Sequence, residues 1–245
     1  MLLVLLILFL AALIALYVLS RLLTNALFTS LFLVTRSRSF AVTAVIALTF
    51  PGTVIHELSH LFVAEILGVR TGKLTLVPEN IRDKEINTGS VSIVRTDPLR
   101  RHAIGLAPMY VGTLVLTALS YIIPGFWQAL LDTEPARLIE TPNTYLFLLV
   151  AYFIFAVSNA MFSSRRDLEG FPAFAITLAI FGAAFWIAGF RIQLPQPVTD
   201  TAARTVITLV QSLGLVIASN LMILIVLKLW IRLLTGFMGV RIKHG

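Results

Sequence analysis

Apolar residues come in long unbroken runs along this chain. Residues 1–20 carry no charge, and about 20 apolar residues are enough for a helix to cross a bilayer. Further runs cover about 40–67, 102–123, 144–162, 171–190 and 206–232. The pattern predicts about six transmembrane helices. No basic stretch precedes the first run and no small-residue cleavage site precedes Arg21, so it reads as a retained helix, not a signal peptide. Residues 22–39 are mixed and include Arg36 and Arg38; they either extend the first helix or lie in the interface. Pro51-Gly52 predicts a kink in the second span.

The pattern changes over residues 68–100. Lys73–Val77 and Ser90–Val94 alternate with period two, around the turn-rich PENIRDKEINTG. This predicts a β-hairpin at the membrane surface, with strands at about 73–78 and 89–95. The fold class is an all-α polytopic membrane protein with a small β-hairpin insertion on the cytoplasmic side. Residues 1–245 form one integral membrane domain.

Composition sharpens this. The chain is 58% hydrophobic and 13% charged, against about 25% charged in soluble domains. There is too little polar surface to cover a globule in water, which excludes a soluble enzyme, a disordered regulator and a nucleic-acid module. The net charge of +7 reads as basic residues gathered in cytoplasmic loops. With six spans, the segment 68–101, the loop 163–170 and the C-terminal end share one face with 13 of the 19 Lys/Arg. That face is expected to be cytoplasmic, with both termini on it, in the plasma membrane of a prokaryote. There is no cysteine, so a metal here must use His and carboxylate.

His56-Glu57-Leu58-Ser59-His60 matches H-E-x-x-H. On a helix, positions i and i+4 lie about 40° apart, so two imidazoles can grip one metal. Glu57 is turned about 100° from His56 and can reach a water beside the metal. These are the parts of a Zn²⁺-dependent hydrolase. With four His and seven Glu in 245 residues, chance placement yields on the order of 0.002 such motifs. The motif also lies in an apolar span, where ionisable groups are costly and functional. A third ligand should come from another span at the same face, which leaves Asp167 and Glu169. Asp167 lies nearer the apolar end of its span; Glu169 stands beside Gly170 and is the rival.

An apolar helix with H-E-x-x-H, a surface hairpin and a later helix ending in Asn-x₇-Asp (Asn159 to Asp167) together resemble the site-2 protease family of intramembrane zinc metalloproteases. The run HELSHLFVAEILGVRTGKLTLVPE with the later SSRRDLEG is closest to its divergent M50B-like branch. Ser163-Ser164-Arg165-Arg166 stands where the family usually carries prolines. The resemblance implies His56, His60 and Asp167 as zinc ligands, Glu57 as general base, and Asn159 as a substrate-positioning group. It implies Zn²⁺ as cofactor and a membrane-spanning or membrane-adjacent polypeptide as substrate. It also implies that the hairpin edge holds an unwound substrate by strand addition. The expected partners are that substrate and the lipid bilayer, with no nucleic acid. The alternative is a non-catalytic membrane protein that keeps the fold and metal site and retains client helices uncut.

Other polar residues read as structural. Gly105, Pro108 and Gly112 suit close helix packing, and Ser219 and Asn220 suit interhelical hydrogen bonds. Glu65 and His102 read as interfacial, and His244 as part of an inert tail.

Overall fold

The computed structural model describes residues 2–75, 90–93, 96–131, 141–162 and 195–238, with isolated positions between 176 and 189. Helix α1 (Leu2–Thr35) is one unbroken element of 34 residues. This decides the open question about residues 22–39: the helix runs on to Thr35. Arg36 then takes a left-handed conformation, with φ of 56°, and Ser37 caps the next helix by accepting from the Phe40 N–H at 3.3 Å.

Helix α2 (Arg38–Ile66) continues through Pro51. It ends in a Schellman turn. Gly68, with φ of 64°, donates its N–H to the Glu65 carbonyl, and Val69 donates to that of Ala64. Val69, Ala64 and Ile104 form a small buried cluster beneath this turn.

Strands β1 (Thr71–Thr75) and β2 (Ser90–Ile93) pair antiparallel, Leu74 opposite Val91 and Thr75 opposite Ser90, with an irregularity between Thr71 and Leu74. Residues 76–89, which include the expected turn and the end of the first expected strand, lie outside the described residues, and β1 starts two residues before the expected strand. The chain continues through α3 (Pro98–Gly105), α4 (Ala107–Leu131), α5 (Pro142–Ala160) and α6 (Gln196–Met238).

Among the described residues, five helical segments are long and apolar enough to cross a membrane. They are Val4–Thr35, Arg38–Ile66, Pro98–Ile123 (α3 with most of α4), Pro142–Ala160 and Gln196–Phe237. The sixth expected span, 171–190, falls mostly outside the described residues.

Two apolar clusters give the relative directions. Leu13 and Leu16 of α1 share a cluster with Leu213 and Val216 of α6. Leu19, Leu23 and Ala26 share the next with Leu224. The numbers climb in step, so α1 and α6 run parallel. Helix α5 runs against both, because Tyr17 meets the Phe162 ring while Leu19, Leu23 and Ala26 meet Phe155. Leu2 and Met238 therefore lie at opposite ends of the bundle. The expectation of both termini on one face rests on the sixth span, 171–190, most of which lies outside the described residues.

Candidate metal centre

Helix α2 buries one stripe along its length: Ala41, Val42, Val45, Thr49, Gly52, Thr53, His56, Glu57, Ser59, His60 and Ala64. Leu58 and Glu65, off this stripe, are exposed. The stripe can lie close to α5 because of Gly52. A Cβ there would collide with the Ala156 carbonyl and stand 2.8 Å from the Ala160 Cβ. The backbones of α2 and α5 thus meet one turn before His56, beside the C-terminal end of α5.

His56, Glu57 and His60 are 4%, 4% and 6% exposed. The His56 and His60 Nε2 atoms face one another at 3.3 Å, with the rings inclined at 82°. Tetrahedral zinc with Zn–N bonds of 2.0–2.1 Å holds two nitrogen donors about 3.3–3.4 Å apart. The two nitrogens, which share a hydrogen bond here, stand at that separation, so the pair could take one zinc without moving apart. The His60 Nδ1 lies 2.8 Å from the Ile104 carbonyl oxygen. A carbonyl oxygen only accepts, so Nδ1 carries the proton, and in neutral His60 the Nε2 lone pair faces His56 Nε2, on the side where a metal would be held.

Thr49, Thr53 and Ser59 turn their hydroxyls back onto the carbonyls of Val45, Thr49 and Ile55. The hydroxyls next to the histidines are thereby occupied within the helix.

Asn159 closes α5. Its Nδ2 donates to the Phe155 carbonyl at 2.7 Å, and its own backbone carbonyl accepts from the Ser20 hydroxyl at 2.8 Å. Its Oδ1 is buried with no partner among the described residues. Next to it, Ser158 accepts from Asn220 Nδ2 at 2.8 Å, the interhelical role expected of Asn220. The structure thus brings His56, Glu57 and His60 onto one buried face and sets the Asn159 end of α5 alongside α2. Asp167, Glu169 and His244 lie outside the described residues. Among the described residues no group of three His, Asp or Glu converges to hold a metal.

The Ile104 carbonyl and the Ser20 hydroxyl were invisible to motif reading. One is a backbone atom, and the other is a serine 139 positions from its partner. Comparison with family models, with curated proteins and with solved structures finds no match to this chain.

Proposed function

We propose that the chain is an intramembrane zinc metalloprotease that hydrolyses peptide bonds of membrane-spanning or membrane-adjacent polypeptides. The observation that carries this reading is the 3.3 Å convergence of two imidazole Nε2 atoms on a buried helix face, with a buried glutamate next in sequence. His56 and His60 would hold the metal, with Asp167 as third ligand. Zinc, when bound, supplies Lewis-acid polarisation of a carbonyl and acidification of water. Glu57 takes a proton from water on its carboxylate and delivers it to the departing amide nitrogen. The packed faces of α2 and α5 exclude bulk water, which strengthens each of these interactions. Asn159 orients the substrate, and the β1–β2 pair offers an edge that holds an extended substrate backbone open.

If the five spans of the described residues are the crossings, the positive-inside rule is met without the C-terminus on the cytoplasmic face. Segments 68–101 and 163–195 and the first turns of α6 then share the face at the His60 end of α2 with eleven Lys/Arg, against seven on the opposite face, Arg21 lying within α1. The metal centre opens to the cytoplasm of a prokaryotic cell in this reading.

The test is metal analysis and cleavage of a membrane-spanning reporter by the purified full chain. Wild type should hold one zinc and cut. His56→Ala should lose the metal, and Glu57→Gln should keep it while cleavage drops by at least about 100-fold. Zinc bound without cleavage, with client helices retained by wild type and Glu57→Gln alike, would replace this reading with the non-catalytic one.

A further inference from the structure

The tautomer of His60 depends on the Ile104 carbonyl, and the chain contains a reason why that oxygen is open to it. In an uninterrupted α-helix the carbonyl of residue 104 would accept from the N–H of residue 108. Residue 108 is Pro108, which has no N–H and whose ring crowds the carbonyl four residues back. The helix breaks there. Helix α3 ends at Gly105 and α4 starts at Ala107. The ladder restarts on the Leu106 carbonyl, which accepts from Met109 and Tyr110 at 3.0 and 3.3 Å.

Ile104 is fully buried and Pro108 is buried, which keeps bulk water from the oxygen. His60 Nδ1 lies on that carbonyl at 2.8 Å, and the Leu106 N–H, bonded to the His102 carbonyl, also faces it. The Ile104 side chain is meanwhile packed against Ala64 and Val69, one turn beyond His60 and under the Schellman turn. Side chain and carbonyl of one residue are thus anchored to the same end of α2.

We infer that Pro108 is a positioning residue for the metal centre. By withholding a backbone N–H it reserves the Ile104 carbonyl for His60 Nδ1, which fixes the Nδ1–H tautomer and aims the Nε2 lone pair at His56. The claim about the tautomer stands on the hydrogen bond alone; its consequence for metal affinity rests on the function proposed above.

Two variants of the full chain test it. Pro108→Ala restores the N–H, and Pro108→lactic acid, an ester linkage, removes the ring without restoring it. The first readout is the nitrogen NMR spectrum of metal-free protein labelled at histidine, with His60→Gln used to assign the signals. Wild type and the lactic acid variant should show His60 protonated at Nδ1, whereas Pro108→Ala should shift it toward Nε2. Its residue 108 amide should become protected from hydrogen exchange. The second readout is zinc affinity, expected to fall about 10- to 100-fold in Pro108→Ala alone. An unchanged tautomer in Pro108→Ala, or a lost one in the lactic acid variant, overturns the inference. If Pro108→Ala does not fold, the lactic acid variant decides by itself, because it must keep the Nδ1–H form. Wild type with the expected tautomer but no zinc would overturn the proposed function and leave the positioning of His60 in place.

Discussion

At Gly52 a single hydrogen atom separates two helix backbones. Adding a methyl group drives a Cβ into the Ala156 carbonyl and to 2.8 Å from the Ala160 Cβ; neither neighbour can rotate away, so the helices must part. Overpacking of this kind costs about 1–3 kcal/mol. Gly112 is a control with the opposite neighbour. Its added Cβ would meet Met161 Cγ at 2.8 Å and Sδ at 3.0 Å, atoms of an unbranched chain with several rotamers. Gly52→Ala should therefore lower the thermal midpoint in detergent and weaken zinc binding more than Gly112→Ala does. Equal effects would show that the α2–α5 approach is not the tight point. Asn220→Ala should cost less, since interhelical hydrogen bonds in membranes average about 0.6 kcal/mol and the change also removes a buried Oδ1 with no partner among the described residues.

Among the described helices, α3 is the shortest and carries the carbonyl that holds His60, so its N-terminus matters beyond its size. Asp97 caps it. Its carboxylate accepts from the Arg100 N–H at 3.0 Å, pairs with the Arg100 guanidinium at 3.2 Å, and precedes Pro98 at the first helical turn. The backbone hydrogen bond from Arg100, helped by the Arg100 charge, holds the Asp97 pKa below its ordinary 3.8. A carboxyl whose folded pKa is depressed stabilises the fold above 3.8, and that contribution is lost as pH falls through the lower folded value. Asp97→Ala should speed amide exchange at Arg100 and Arg101 at neutral pH, and wild type should approach the variant only in strong acid. Asp97→Asn, which keeps a side-chain oxygen for the cap, should exchange more slowly than Asp97→Ala. If all three exchange alike at pH 7, the cap does not hold α3.

At the scale of the molecule, parallel packing of α1 and α6 puts Leu2 and Met238 at opposite ends of the bundle. Reporter fusions at the N-terminus and after residue 238 should therefore report opposite compartments; the same compartment for both would require a sixth crossing between α5 and α6. A metal held by His56 and His60, as proposed, would also act at this scale, because His60 ties α2 through the Ile104 carbonyl to α3. A ligand that binds only the folded state stabilises it by about 2.7 kcal/mol at 100 times its Kd. Chelation should lower the midpoint of wild type and leave His56→Ala unchanged.

The chain's own order of residues determined that it is helical and suited to a membrane, because a run of about 20 uncharged apolar residues has no stable place in water. It also determined the H-E-x-x-H face, since the i, i+4 geometry belongs to any α-helix. Residues 22–39 were ambiguous because Arg36 and Arg38 look like an interface, and only the reversal at Arg36–Ser37 showed that both arginines flank one tight turn. The tertiary structure alone decided the parallel course of α1 and α6. Hydrophobic runs are symmetric in direction, and direction emerges only from which buried residues meet. It alone revealed the Ile104 carbonyl behind His60, because backbone oxygens are the same at every position until a proline four residues on leaves one of them without its helical donor.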